Sequence, residues 1–277
     1  MRALVVVDNS VSSGGAVAEH GWSVLVEANG RKVLVDAGQR ANIFLHNVEV
    51  LGLDLSEVDA VVLSHGHYDH AGGVLQAVTR SRGKVLFVHP GAFVKRFSVK
   101  EGRPPRFVGV RWHEDDVSSE RVGGRVEHAL EFMEIFEGIF VTGPIPRREP
   151  FESPDPHLKV EREGKLTSDT VEDDMALVVR EGDGIVVVTG CAHSGIVNTV
   201  KFALEKGGCE KVKAVIGGMH LMSAEDGRVE RTAEALKELG VMAVFPAHCT
   251  GLKATLKLAR LLGEVVRPVC VGEVVEA

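Results

Sequence analysis

Four times along the chain an apolar run ends in a histidine-bearing turn, and a helix-like segment follows. The four are "DAVVLSHGHYDHAGGVLQAVTR", "GIVVVTGCAHSGIVNTVKFALEK", "KAVIGGMHLMSAEDGRVERTAEALKEL" and "MAVFPAHCTGLKATLKLARLL". Their spacing is irregular, so they do not form a repeat array. Strand–helix alternation builds a sheet covered by helices, and ligands of such sheets bind beyond the carboxyl ends of the strands. The pattern thus directs His65, His67, Asp69, His70, Cys191, His193, His220 and His248 toward one rim.

Two hairpins join these units. "GWSVLVEANG" and "RKVLVDAG" turn around Asn29-Gly30, and "DDMALVVREGDGIVVVTG" turns at Gly182-Asp183-Gly184. "QRANIFLHNVEVLGL" spaces Ile43, Phe44, Val48 and Leu51 as one face of a helix. The expectation is a mixed α/β fold in which helices cover sheets. No low-complexity linker divides the chain, so residues 1–277 are read as a single domain. Thr142 to Asp169 holds five of the ten prolines and many charges, and is expected to be an irregular surface insertion.

Charge and cysteine usage narrow the function. A formal net charge of −7 with no basic stripe argues against a nucleic-acid partner. No apolar run is long enough to cross a bilayer, and the N-terminus reads as a strand rather than a signal peptide. A cytoplasmic protein acting on a small molecule is expected. The four cysteines are scattered, with no CxxC, and do not suggest a disulfide framework.

"SHGHYDHAGG" sets three histidines and an aspartate within six residues, among glycines that allow a crowded turn. Imidazole suits zinc, iron, nickel and copper, and a carboxylate widens the choice. Neighbouring residues of a tight turn point to different sides. His65 and His67 can share one metal while Asp69 and His70 reach another.

"SHGHYDHAGG" after a strand resembles the signature of the metallo-β-lactamase fold superfamily, and the similarity covers most of the chain. The resemblance implies a four-layer αββα sandwich with two divalent metal ions where the sheets meet, zinc first, manganese or iron as alternatives. By this match Asp36 in "VLVDAG" supports the histidine motif from behind, and His248 in "FPAHCTG" joins Asp69 and His70. The middle of the chain departs from the commonest pattern of the superfamily. "FVTGPIP" lacks the expected histidine, and "VTGCAH" has cysteine where a bridging aspartate would stand. His193 is expected to supply the missing imidazole, with Cys191 at or near the second metal. The set "SHGHYDHAGG", "TGCAHSGI", "GGMHL" and "HCTG" is similar to a narrower group. It includes dihydropteroate-synthase analogues of methanopterin biosynthesis, which join a dihydropterin methyl diphosphate to ribofuranosylaminobenzene 5′-phosphate.

The resemblance implies a metal-dependent hydrolase acting through metal-bound hydroxide on a small, phosphorylated substrate. Asp69 would orient the nucleophile and move its proton. The alternatives are the pterin transferase reaction and a non-catalytic metal sensor. His220, at a strand end, is a candidate proton donor or phosphate contact. Lys95, Arg96, Arg147 and Arg148 are candidate phosphate contacts. His20 is a weaker candidate for the site. His46, His89, His113, His128 and His157 read as surface or structural. Cys249 follows a proposed ligand, so its side chain is expected to point elsewhere. "SVSSGG", Ser10 to Gly15, reads as a flexible loop near the site mouth.

Overall fold

The computed structural model describes residues 1–277. Apolar alternation explains its layers. In the strand Ala60–Leu63, Ala60 and Val62 face one core, and Val61 and Leu63 face another. In the strand Gly184–Thr189, Val186 and Val188 join the same central core as Val62, while Ile185 and Val187 turn outward. Two sheets therefore bury their facing sides against each other. Each covers its outer side with helices, giving the αββα arrangement. Helices Ala41–Val50 and Val74–Arg80 pack on the first sheet through Phe44, Val48, Val74 and Val78. Helices Ile196–Gly207, Asp226–Glu238 and Leu252–Leu262 pack on the second. No helix is long and apolar enough to cross a membrane.

The first sheet has seven strands. Both expected hairpins are present, as Ser23–Ala28 with Arg31–Val35 and as Ala176–Glu181 with Gly184–Thr189. Arg31–Val35, Ala60–Leu63 and Val85–Val88 run parallel. The second sheet has six strands, and Gly184–Thr189, Lys211–Gly217 and Val244–Pro246 are parallel neighbours. Their carboxyl ends thus lie side by side.

One expectation is corrected. Thr142 to Asp169 is not irregular throughout, because it contains the hairpin Leu158–Arg162 with Lys165–Ser168. That hairpin joins Arg96–Ser98 and Arg106–Phe107 in a third, four-stranded sheet. The alternation Leu158 and Val160 inward, Lys159 and Glu161 outward, is a strand signal that the prolines upstream obscure. The Ser10–Gly15 segment is tied down at its start, with Ser12 N donating to Val271 O at 3.2 Å. It does not line the histidine cleft.

Candidate metal centre

The turn after Ala60–Leu63 is anchored from below. Asp36 closes the neighbouring strand with φ of 58°, in the left-handed region, and is fully buried. It accepts hydrogen bonds from Ser64 N (2.8 Å), Ser64 Oγ (2.7 Å) and His70 Nδ1 (2.6 Å). With its Nδ1 proton committed to the carboxylate, His70 presents Nε2 to the site, where a bound cation would displace the proton that the free imidazolium carries. Burial alone would lower the His70 pKa, but the Asp36 charge and hydrogen bond outweigh it and raise the value to about 9. Ser64 gives its only hydroxyl proton to Asp36. Its oxygen, 2.9 Å from His65 Nδ1, therefore accepts from that ring and leaves His65 Nε2 as a free lone pair.

Glycine is required where backbones close on this turn. A Cβ on Gly66 would lie 1.9 Å from Ala92 O, and one on Gly190 would lie 2.0 Å from Ser64 Oγ. The turn is also held by Asp173, which accepts from Gly66 N at 2.7 Å.

Three strand ends of the second sheet complete the cluster. Ala192, His220 and His248 adopt positive φ (52°, 49° and 45°), conformations that non-glycine residues hold only where their surroundings impose them. These turns swing Cys191, His193, His220, His248 and Cys249 into one cleft of about 240 Å³ with His67 and Asp69. His65, His67 and His193 each offer a ligand atom within 4.8 Å of the other two, and so do His20, Asp69 and His248. Cys191 Sγ lies 3.2 Å from His70 Nε2. His67 Nδ1 and His193 Nε2 are 3.1 Å apart. Two nitrogens bound to one tetrahedral cation at about 2.05 Å stand roughly 3.3 Å apart, so that separation suits a shared cation.

The electrostatics favour the ligating forms. Burial, then the neighbouring cationic His70, holds His65 well below its usual pKa. Burial and Arg96 bring His67 to about 3. Burial and His220 lower His193. All three imidazoles are thereby neutral. Burial would raise the Asp69 pKa, but the imidazoles of His20 and His248 beside it bring it well below the carboxylate range. His20 Nε2 is 3.0 Å and His248 Nε2 is 3.5 Å from Asp69 Oδ2.

His220 stands against His193, ring centroids 4.2 Å apart, and 3.6 Å from Asp155 Oδ2. Burial opposes protonation of His220, yet Asp155 outweighs it and lifts the pKa to about 9. His220 in turn draws Asp155 down to about 2.

The four basic candidates do not line this cleft. Arg96 is buried because its guanidinium holds Asp169 (Nε to Oδ2, 2.8 Å) and Asp173, the residue that anchors Gly66. Lys95 pairs with Glu161 and Arg148 with Glu205 at the surface, and Arg147 donates to the carbonyl of Thr170. The cations at the rim are Lys100, in the loop after Arg96–Ser98, and Arg106, on the third sheet. Arg106 lies over the Tyr68 ring at 5.4 Å. Cys249 is a second correction. The left-handed turn at His248 keeps its neighbour's thiol in the cleft instead of pointing it away. Sequence reasoning also missed Asp8 and Asn9, which bind His248 N and Nδ1 at 2.7 and 3.0 Å, and Asp155. The polar "DN" that ends the first strand is the one local hint of the former pair. His46, His113 and His128 are exposed, the last paired with Glu114.

Sheets, strand-end histidines and the carboxylate behind them define a class. The chain belongs to the metallo-beta-lactamase superfamily, whose sequence profile matches residues 16–248. More particularly, it is 34% identical over 249 residues to the 7,8-dihydropterin-6-methyl-4-(beta-D-ribofuranosyl)-aminobenzene-5'-phosphate synthase of Methanocaldococcus jannaschii, covering 86% of this chain and 83% of that protein. It is 32% identical over 263 residues to a second, uncharacterised protein of the same organism, covering 93% of each. The crystal structure of Tm1679, a metal-dependent hydrolase of the beta-lactamase superfamily, superposes with a TM-score of 0.83 at 35% identity, covering 100% of this chain and 99% of that one.

Proposed function

We propose that this chain is a metal-dependent hydrolase of a small phosphorylated substrate. His65, His67 and His193 would hold one divalent cation. Asp69, His70 and His248 would hold a second, with Cys191 beside it. The observation that carries the reading is a buried imidazole nitrogen with no partner in each set, His65 Nε2 in the first and His248 Nε2 in the second. Each buried unsatisfied group costs about 1–3 kcal/mol, and one cation in each of the two sets would satisfy them. The mixed nitrogen, oxygen and sulfur donors suit zinc first, then iron or manganese.

Bound divalent cations supply Lewis acidity and make water a nucleophile near neutral pH. The residues do the rest. Asp69, kept ionised, accepts the proton of the attacking water. His220, kept cationic by Asp155, stands ready to protonate the leaving group. Lys100 and Arg106 hold the substrate phosphate at the rim. Val108, Leu158 and Met222 line the same cleft and limit water. The test is a panel of phosphate esters, diphosphates and lactones with metal-loaded protein. Asp69→Ala should abolish turnover while the circular dichroism spectrum is unchanged. Retained turnover in that variant would sink the scheme.

A second reading is a transferase, and the name of the 34% identical relative favours it. The same cleft would bind a diphosphate leaving group, and an amine or ring carbon of a second substrate would replace water as nucleophile. Release of pyrophosphate only when a dihydropterin methyl diphosphate and ribofuranosylaminobenzene 5′-phosphate are both present would establish it. Diphosphate hydrolysis without the second substrate would favour the hydrolase.

A further inference from the structure

The cleft holds more sulfur than histidine and carboxylate chemistry requires. Cys191 follows the strand Gly184–Thr189, and Cys249 sits in the turn His248–Thr250 that follows Val244–Pro246. These two strands are not neighbours, because Lys211–Gly217 lies between them. Their thiols nevertheless meet, with Cys191 Sγ, Cys249 Sγ and a His248 ring nitrogen all within 4.8 Å of one another.

The middle strand makes the meeting possible by ending in two glycines. A Cβ on Gly218 would fall 2.5 Å from Cys249 Sγ and 3.2 Å from Cys191 Cα. One on Gly217 would fall 2.2 Å from Thr189 O. Both thiols are buried, at 3% and 7% exposure, yet both line the cleft. Cys249 is oriented by the backbone: His220 N donates to its Sγ at 3.3 Å, and its thiol donates to Cys191 O at 3.5 Å. On its other side Cys191 Sγ lies 3.2 Å from His70 Nε2. A tetrahedral cation with bonds of about 2.05 Å to nitrogen and 2.3 Å to sulfur sets its ligand atoms roughly 3.3–3.8 Å apart. The 3.2 Å between Cys191 Sγ and His70 Nε2 lies near that range, and Cys191, Cys249 and His248 stand within 4.8 Å of one another.

We propose that Cys191 and Cys249, together with His70 and His248, form a paired-thiolate position that selects a soft, thiophilic divalent cation over a hard one. The proposal rests on the metal-dependent reading of the same cleft. Each thiol loses its proton on binding, so each thiolate donor adds one proton released to solvent to the one that His70 Nε2 gives up. Thiolate donors favour zinc, cobalt and cadmium, whereas manganese and magnesium prefer oxygen.

Cobalt(II) reconstitution reads the donors directly, without reference to turnover. Wild-type protein titrated with cobalt should show a near-ultraviolet thiolate-to-cobalt charge-transfer band. Cys191→Ser and Cys249→Ser should each lower it by about half, and the double variant should lose it while retaining the visible ligand-field bands of the histidine sites. Cadmium should bind the double variant at least about tenfold more weakly, with manganese affinity unchanged. Thiol footprinting of the wild-type chain with N-ethylmaleimide covers the case of a variant that does not fold. One equivalent of cadmium beyond the histidine site should protect Cys191 and Cys249 together and leave Cys209 and Cys270 reactive. A band untouched by Cys249→Ser, or no joint protection, overturns the proposal. Cobalt bound with histidine-type bands alone and normal turnover would leave the hydrolase reading standing and remove only the sulfur site.

Discussion

Asp36→Asn removes one charge and almost no volume. Asp36 is fully buried and accepts three hydrogen bonds, from Ser64 N, Ser64 Oγ and His70 Nδ1. An amide offers one oxygen and one donating nitrogen. With its oxygen toward Ser64 N, the NH₂ faces Ser64 Oγ and His70 Nδ1. His70 must then accept at Nδ1, and its proton moves to Nε2, the nitrogen that would ligate. Turned the other way, the NH₂ meets the Ser64 N–H, donor against donor. Charge-assisted hydrogen bonds contribute about 1.5–3 kcal/mol each, so the metal-free protein should lose on the order of 3 kcal/mol. Loss of a carboxylate behind a metal-bound histidine lowers affinity by about 10–100-fold, or roughly 1.4–2.7 kcal/mol. Urea denaturation of chelator-treated protein reads the first quantity, and competition with a coloured chelator reads the second. Asp36→Asn protein with lowered stability but unchanged affinity for every metal equivalent would refute the reasoning. It would show Asp36 to be a structural acceptor only, and His70 Nε2 to serve no cation.

Other substitutions divide recognition from architecture. Lys100→Ala or Arg106→Ala should raise KM for a phosphorylated substrate about tenfold with kcat nearly unchanged, as steady-state kinetics would read. Arg96→Ala should instead cost about 3–5 kcal/mol of stability in denaturant titration, because it strands the buried Asp173 charge that holds Gly66. Gly190→Ala places a methyl group 2.0 Å from Ser64 Oγ and should lower stability by about 1–3 kcal/mol and weaken metal binding, by calorimetry on the same sample. In metal-free protein, His70 has a folded pKa of about 9 against about 6.5 unfolded. Its stabilising contribution is full below pH 6.5 and lost as pH rises through 9, so Asp36→Asn should flatten that alkaline decline in melting temperature. His67 shifts the opposite way, to about 3. It should therefore lower stability as pH falls below 6.5, and His67→Gln should relieve part of that acid loss.

What the sequence makes legible is what local chemistry decides. Ala60–Leu63 and Ile185–Val188 are unbroken apolar runs because each strand is buried on both faces, and such a run shows in the string itself. The histidine turn is legible for the same reason, since its donors lie within six residues. The partners that orient those donors arrive through topology. His248 donates its hydrogen bonds to Asp8 and Asn9, some 240 residues away. Asp155 reaches His220 from the segment that its prolines make look irregular. Arg96 and Arg106 have the same side-chain chemistry and stand ten positions apart. Yet Arg96 enters the core to hold Asp169 and Asp173, while Arg106 overhangs the cleft on Tyr68. Nothing in their immediate neighbours separates the two. The difference lies in the pairing of Arg96–Ser98 between Leu158–Arg162 and Arg106–Phe107, which makes Arg96 part of a central strand and leaves Arg106 on an edge. Charge alone therefore cannot identify a phosphate contact in this chain. Arg96 is enclosed by two neighbouring strands and two carboxylates, whereas Arg106 on its edge strand is left to line the cleft beside Tyr68.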